Sequence, residues 1–142
     1  MSCAGRFPTD IFELLFSMEL TNGVYTIQGL DVADICKEFG TPLYVYDGEK
    51  IIHQLRTLKN AFSDTDVRVK YAAKALTNIS ILKLLKKHGA GVDVVSIQEA
   101  HLALGAGFLP EEIMFTPNCV DFDEIVAGVD LGLNINLDNL SV

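Results

Sequence analysis

A chain of 142 residues, 49% of them apolar, is long enough to form one globular unit with a hydrophobic core. Its net charge is −8 and every lysine and arginine lies at or before Lys87, which leaves no extended basic face for nucleic acid. No apolar run approaches the ~18 residues of a membrane span, and the first residues lack the order of a secretory signal. We therefore expect neither nucleic acid nor a membrane as a partner.

Cysteine and histidine usage points to a reducing compartment and away from metal binding. The cysteines are odd in number, far apart and in no metal-ligand spacing: Cys3, Cys36 and Cys119. Reduced thiols in the cytoplasm are the expected state. The histidines do not pair with Cys, Asp or Glu at ligand spacing either: His53, His88 and His101. The sequence therefore predicts a cytoplasmic protein without a metal site.

The first 40 residues are predicted to precede the main part of the fold. Residues 1–23 are expected to be an irregular N-terminal extension, with 1–17 outside the fold. A strand is predicted over 24–28. A helix is predicted over 31–40, since its first residue is an aspartate that can cap it and its last a glycine that can end it. Residues 24–40 are thus a strand and a helix before the main α/β part.

From residue 41 onwards, predicted strands and helices alternate. The strands are short and mostly apolar, at 42–46, 67–75, 92–95, 113–116 and from 134 onwards. A helix follows each of the first four strands, and each helix begins with a residue suited to capping: Asp47, Asn78, Ser96 and Asp121. Such alternation predicts an α/β fold with parallel strands.

Two closures of such a sheet are compatible with right-handed connections: an open doubly wound sheet and a (β/α)8 barrel. A complete barrel needs roughly 250 residues, so residues 41–142 would be about its first half. An open, flavodoxin-like sheet of five strands is the alternative, and chain length alone favours it. The residues on the second strand favour the barrel.

Positive side chains share one face of that second strand. At a period of two, Arg68, Lys70 and Lys74 lie on the same side, and the opposite side is apolar. Unpaired buried charge is costly, so this row cannot be an ordinary core face. In a barrel it would point inward, with Lys74 at the C-terminal mouth, where the active sites of such barrels are built.

Lys74 is the first candidate for chemistry. A partly desolvated lysine amine can lose its proton and attack an aldehyde to form a Schiff base, which arginine cannot do. The small neighbours Ala72 and Ala75 leave room for a flat ring. The alternative, favoured by spacing alone, is a lysine that extends from a strand end into solvent.

Two carboxylates follow on the third strand and its helix. Asp93 could stabilise a protonated Schiff base at Lys74, or could instead form an ion pair with Arg68 or Lys70. Glu99 stands three residues after Ser96, in the spacing of a capping box, and this explains it without any role in a site.

Several ordered blocks resemble the PLP-dependent decarboxylases of the alanine-racemase fold, and among them the diaminopimelate decarboxylases most of all. The strongest block is Tyr-Ala-Ala-Lys-Ala-Leu-Thr-Asn-Ile-Ser-Ile-Leu-Lys at 71–83. Thr-Pro-Leu-Tyr-Val-Tyr-Asp at 41–47 and Gly-Val-Asp-Val-Val-Ser-Ile-Gln-Glu-Ala at 91–100 fall in the same order. The resemblance runs from about residue 24 onwards, and it reverses the preference for a merely solvated Lys74.

This resemblance implies a fold, a cofactor and a set of site residues. The fold is the N-terminal part of a PLP-binding (β/α)8 barrel of the alanine racemase type, which 41–142 would form incompletely. Pyridoxal 5'-phosphate would be bound covalently by Lys74, with Ala72 bordering it and with Asp93 and Glu99 close to the same site. Many members have Lys-Ala-Asn where this chain has Lys-Ala-Leu, so a role for the side chain of Leu76 is in doubt.

The implied activity is decarboxylation of an amino acid, with meso-diaminopimelate, which yields L-lysine and carbon dioxide, as first candidate. Decarboxylation of ornithine, arginine or carboxynorspermidine, or amino-acid racemisation on the same fold, remains open, as does a barrel half without catalysis. The family is homodimeric. Its phosphate loop and C-terminal domain are not found within these residues, so the 142-residue chain alone is expected to be inactive and to retain PLP weakly.

Overall fold

The computed structural model describes residues 18–137, which divide into two compact units, one ending at Lys50 and the other beginning at Ile51. The predicted irregular segment 1–23 is described only from residue 18, and the expectation for 1–17 lies outside the described residues. The expected division after residue 40 stays a prediction.

The first unit contains a small antiparallel sheet. Strand β1 (Met18–Thr21) pairs with β2 (Val24–Ile27), and β2 pairs with β3 (Leu30–Asp31). Asn22 and Gly23 both have positive φ, at 53° and 81°, as a two-residue hairpin turn requires. The prediction of an irregular segment was therefore wrong for 18–21, because the Asn-Gly pair favours a tight turn that lets the two strands pair.

Helix α1 (Val32–Phe39) follows directly, and its ends are as predicted. The carboxylate of Asp31 accepts a hydrogen bond from the backbone N–H of Ala33 at 2.7 Å. Gly40 ends the helix with φ of 83°, and its N–H donates to the carbonyl of Cys36. No residue of α1 is buried.

Residues 42–46, predicted as the first barrel strand, belong to no strand. Their side chains are exposed, with Tyr44 at 87%. An isolated extended segment has no ladder of hydrogen bonds, and its five residues pair with no other strand within 18–137. The prediction of a strand here was wrong because local apolar patterning does not supply a pairing partner. Asp47 does cap the next helix, accepting from the N–H of Lys50 at 3.0 Å.

The remaining elements alternate as the sequence predicts. The helices are α2 (Gly48–Ala61), α3 (Ile79–Lys87), α4 (Ile97–Gly105) and α5 (Phe122–Asp130). The strands are β4 (Lys70–Ala72), β5 (Gly91–Val94), β6 (Ile113–Phe115) and β7 (Asn134–Ile135). Two 3-10 helices lie between them, at Ala73–Ala75 and Pro110–Glu112.

The second unit is built on a parallel sheet with the order β4-β5-β6-β7. Each strand lies beside its predecessor, so within the described residues the order never reverses as it does in doubly wound sheets. The helices cover one face of this sheet. Both features favour the barrel-type arrangement over the open, flavodoxin-like alternative, and the predicted α/β class with parallel strands is confirmed.

The two faces of this sheet differ in chemistry. One face is the core: Val92, Ile113, Val94 and Phe115 are each 0% exposed, and the helices contribute Leu82, Ala100 and Ala103. The other face is half exposed and carries the row Ala72, Asp93, Met114 and Asn134, which the parallel register aligns. Because neighbouring residues of a strand point to opposite sides, each strand contributes side chains both to the buried core and to the half-exposed face.

A polar cluster joins three elements at the amino ends of the strands. Lys86 of α3 forms an ion pair with the carboxylate of Glu112, which also accepts from the N–H of Leu109 at 2.7 Å. Lys70 of β4 donates to the backbone carbonyl of Glu112 at 2.8 Å. The segment before β6 is thereby fastened to α3 and to β4. Among the helices within 18–137, none has the length and apolar character needed to cross a membrane.

Glycine 128 allows α5 to approach the sheet closely. A Cβ at this position would lie 2.8 Å from Cδ1 of Phe115, a buried side chain that cannot withdraw. We expect Gly128→Ala to lower the free energy of unfolding by about 1–3 kcal/mol. The control is Gly105→Ala in α4, where nothing lies within 4 Å, and which should keep or raise stability. Urea unfolding of both variants checks this, and equal midpoints would contradict it.

The cluster around Glu112, with Lys70, Lys86 and Leu109, makes the stability of the fold depend on pH. The hydrogen bond from Leu109 and the ion pair with Lys86 hold the pKa of Glu112 below its ordinary value of 4.5. Because the pKa of Glu112 is lower in the folded state, its carboxylate adds to the free energy of unfolding in full above pH 4.5. This stabilisation is lost as the pH falls from 4.5 towards the folded-state pKa. Glu112→Gln should therefore cost about 1–2 kcal/mol at pH 7 and flatten the stability profile below pH ~5.

The matched control for that change is Glu111→Gln. The exposed carboxylate of Glu111 makes no hydrogen bond or ion pair within the described part of the chain. Denaturant titrations at pH 7, 5 and 4 should therefore separate the two variants. A profile for Glu112→Gln that is parallel to the profile of the wild type would show that the cluster does not contribute.

Candidate active site

The carboxyl ends of β4, β5 and β6 meet at one edge of the parallel sheet. The short connections that follow these strands contain Lys74, Ser96 and Thr116. The half-exposed face ends at this edge, so its last side chains are also accessible there. Residues from separate parts of the chain thus converge where barrel enzymes carry their sites.

Lys74 was predicted to lie on the second strand, but it lies in the 3-10 turn of Ala73–Ala75 that follows the strand. The strand β4 ends at Ala72, and the N–H of Leu76 donates to the carbonyl of Ala73 at 3.0 Å to close the turn. The alternation of faces along 67–75 therefore stops before Lys74, and its assignment to the Lys70 row was wrong. Its assignment to the carboxyl end of the strand is correct.

The turn anchors the backbone of Lys74 and leaves its side chain exposed. Ala73 is 1% exposed and belongs to the main core, and Tyr71 Oη donates to the carbonyl of Leu76 at 3.2 Å. Lys74 itself is exposed, and within residues 18–137 its amine makes no hydrogen bond or ion pair. Its amine is thus available to a ligand at the edge of the sheet.

Asp93 is held by a residue that the sequence analysis did not identify. Its carboxylate accepts a hydrogen bond from Oγ1 of Thr116 at 2.6 Å. In the register of β4 and β5, Asp93 stands opposite Ala72, two residues before Lys74. A hydroxyl residue one position beyond the next strand was the available signal, but only the parallel pairing of β5 and β6 makes the two meet.

The alternative role for Asp93, an ion pair inside the sheet, is not what the structure contains. Within the described residues Asp93 has no salt bridge to Arg68 or Lys70. Lys70 instead donates to the carbonyl of Glu112. Partial burial and the positive charge of Arg68 lower the pKa of Lys70, and the charge of Asp93 acts in the opposite direction. Asp93 therefore contributes negative charge to this face without being consumed by a direct ion pair.

Glu99 performs the capping role that its spacing predicts. The N–H of Glu99 donates to Oγ of Ser96 at 3.2 Å, and its carboxylate accepts from the N–H of Val95 at 2.8 Å. The carboxylate therefore fixes the connection between β5 and α4. Asn78 likewise caps α3 by accepting from the N–H groups of Ser80 and Ile81. These caps hold the connections at the carboxyl edge of the sheet.

Other candidate chemistry is not assembled in the described part of the chain. No group of three or more His, Cys, Asp or Glu side chains there could hold a metal ion. The pocket lined by Lys59, Arg68, Lys70 and Glu112 lies at the amino ends of the strands, opposite to Lys74. That pocket does not belong to the site.

The residues at the carboxyl edge fit one end of the cofactor that the sequence predicts. The exposed amine of Lys74, the small side chain of Ala72 and the carboxylate of Asp93 suit the aldehyde end of pyridoxal phosphate. The phosphate needs positive charge or a cradle of N–H groups, and residues 88–142 contain no lysine or arginine. The residues at the carboxyl edge thus fit the aldehyde end of the cofactor, and residues 88–142 supply no lysine or arginine for its phosphate.

Comparison with known proteins shows the family to which the chain is similar. Residues 48–142 match the family model described as pyridoxal-dependent decarboxylase, pyridoxal binding domain. A diaminopimelate decarboxylase of Methanothermobacter thermautotrophicus is 42% identical over 121 residues, covering 84% of this chain. The chain spans only 28% of the length of that relative.

Solved structures resemble the described fold. Diaminopimelate decarboxylase of Methanocaldococcus jannaschii, in complex with L-lysine, has a TM-score of 0.80 and 33% identity over 86% of this chain and 30% of its own. Lysine/ornithine decarboxylase of Vibrio vulnificus, in complex with putrescine, has a TM-score of 0.70 and 28% identity over 77% of this chain and 30% of its own.

The contact between Thr116 and Asp93 is open to a direct test. Thr116→Val keeps the shape of the side chain but removes the only donor that the structure gives to the Asp93 carboxylate within residues 18–137. We expect the free energy of unfolding to fall by about 1–2 kcal/mol, since a half-buried charged acceptor loses its partner. Thr116→Ser retains the hydroxyl, so its free energy of unfolding should fall by less. Equal losses in urea unfolding would assign the effect to packing alone.

Proposed function

Because the chain belongs to the pyridoxal-dependent decarboxylase family, we propose that it is the N-terminal, lysine-bearing part of a PLP-dependent amino-acid decarboxylase. The observation that carries this proposal is the exposed amine of Lys74 at the carboxyl edge of a parallel sheet, which has no partner among residues 18–137. The fold class, an α/β architecture of the alanine racemase type, agrees with the consecutive order of the strands.

Lys74 would hold the cofactor at its aldehyde carbon through Nζ. Three features support this: the amine is not paired within the described residues, its backbone is fixed by the turn of Ala73–Ala75, and its neighbour Ala73 is anchored in the core. An anchored backbone beneath a free side chain reduces the conformational entropy lost when the amine is fixed to a ligand.

The neighbouring residues would shape the space around the bound cofactor. Ala72 presents only a methyl group on the face next to Lys74, so a flat ring can approach the sheet. Asp93, oriented by Thr116, supplies a negative charge that would stabilise positive charge on the nitrogen through which Lys74 holds the cofactor. Glu99 would act by fixing the β5–α4 connection. When bound, PLP accepts the electron pair released as carbon dioxide leaves the substrate.

The rest of the site would come from outside these residues. The phosphate of PLP needs donors that residues 88–142 do not supply as lysine or arginine, and the chain spans less than a third of its relatives. We therefore assign phosphate binding, substrate recognition and the homodimer to the full-length enzyme. Its expected compartment is the cytoplasm, where Cys36 and Cys119, both free thiols, would stay reduced.

The proposed substrate is meso-diaminopimelate, converted to L-lysine and carbon dioxide in lysine biosynthesis. The support is the 42% identity to a diaminopimelate decarboxylase and the likeness to a structure of that enzyme with L-lysine. A decarboxylase of another basic amino acid is the second candidate, favoured by the likeness to a lysine/ornithine decarboxylase.

Borohydride reduction of the full-length enzyme with PLP tests the assignment of Lys74. Labelling at Lys74 blocks tryptic cleavage there and should give a pyridoxylated peptide of residues 71–83, bounded by cleavage after Lys70 and Lys83. The rival is Lys70, because its lowered pKa favours the reactive neutral amine. Label found mainly on Lys70 would overturn the assignment.

Two lysine variants complete this experiment. Lys74→Arg keeps the charge but removes the nucleophile, so the visible absorption of the bound cofactor and the label should both disappear. Lys70→Arg should keep both. Carbon dioxide release from meso-diaminopimelate, ornithine, arginine and carboxynorspermidine then ranks kcat/KM, and a higher value for any of the last three would exclude the proposed substrate.

A further inference from the structure

We propose that Tyr71 is a positioning residue for Lys74, acting through the turn of Ala73–Ala75. This inference rests on the proposed function of Lys74 and adds a second residue to it. The hydroxyl of Tyr71 donates to the backbone carbonyl of Leu76 at 3.2 Å. The N–H of the same residue, Leu76, donates to the carbonyl of Ala73 at 3.0 Å. The two bonds enclose the backbone of Lys74.

The ring of Tyr71 is a rigid base for this contact. It is half buried and packs against both hydrophobic clusters of the second unit, one around Val92 and the other around Leu55 and Leu85. Movement of the ring would disturb both clusters, so the position of the hydroxyl is tied to the core. The turn that carries Lys74 is therefore fastened to the core at Ala73 and, through Tyr71, at Leu76.

This fastening matters because the side chain of Lys74 is long and exposed. A lysine has a flexible stem of four carbons, so its amine reaches many positions unless the backbone beneath it is fixed. A 3-10 turn of three residues is weak alone, because it is closed by a single hydrogen bond. The second bond, from Tyr71, restricts the turn and hence the volume that Nζ of Lys74 samples.

The same contact is compatible with leucine at position 76. The structure uses the carbonyl and the N–H of Leu76, which every residue other than proline possesses. These two hydrogen bonds therefore do not depend on the side chain at 76, whereas one of them depends on the hydroxyl at 71. Phenylalanine at 71 would keep the ring and lose the contact.

The test compares Tyr71→Phe with Tyr25→Phe in the full-length enzyme. Tyr25 is 54% exposed on β2 of the first unit, so its variant controls for loss of a phenolic hydroxyl. In Tyr71→Phe we expect amide hydrogen exchange at Leu76 to be about five- to tenfold faster, and PLP affinity and the rate of borohydride labelling of Lys74 to fall about three- to tenfold. Amides within α3 should keep their exchange rates.

The possible results separate the two proposals. The role of Tyr71 would be overturned by rapid exchange of the Leu76 amide in the wild type, or by unchanged amide exchange and PLP affinity in Tyr71→Phe. If Lys74 is still labelled in either case, the proposed function stands. Slower labelling with a uniform loss of protection across α3 would also overturn the role of Tyr71, because the effect would then be loss of fold. Wild-type enzyme that carries no pyridoxyl group on Lys74 would overturn both.

Discussion

The parallel register of β4, β5 and β6 is the constraint on which the rest of the second unit depends. It places Val92 beside Ile113 and Val94 beside Phe115 on one face, and Ala72, Asp93 and Met114 in a row on the other. A shift by one residue would exchange the two faces, putting an aspartate into the core. The buried face therefore selects the register, and the register determines which side chains are accessible.

The candidate site is a product of the connections that follow this sheet. Lys74 is carried by a turn whose ends are fastened to the core, and Glu99 closes the connection after β5. Thr116 follows β6 and reaches back to Asp93. Each of these contacts joins a residue just past one strand to a neighbour in the fold. The strands thus supply rigidity, and the short connections supply the chemistry.

Features governed by neighbours in sequence could be predicted well. Asn78 and Ser96 cap helices as expected, since capping involves N–H groups only two or three residues away. The position of Lys74 at the carboxyl end of a strand was also predictable. Its departure from the strand was not, because the contact between Tyr71 and Leu76 is not encoded in the alternation of apolar residues.

Features that depend on distant partners were predicted less well. Residues 42–46 are apolar enough for a strand, but a strand exists only where another provides a ladder. The bond from Thr116 to Asp93 spans 23 positions and follows from the pairing of β5 with β6. The hairpin at Asn22 is a different case, because its Asn-Gly turn is a local signal that the sequence itself contains.

The contrast between the two faces of the parallel sheet has an evolutionary consequence. Substitutions at Val92 or Phe115 alter the packing of helices, so selection for a folded chain limits them. Met114 stands next to Phe115 on β6 but is not buried, so a change there costs less folding free energy. Descendants of this chain could thus acquire different ligand preferences on one surface while inheriting the same scaffold beneath it.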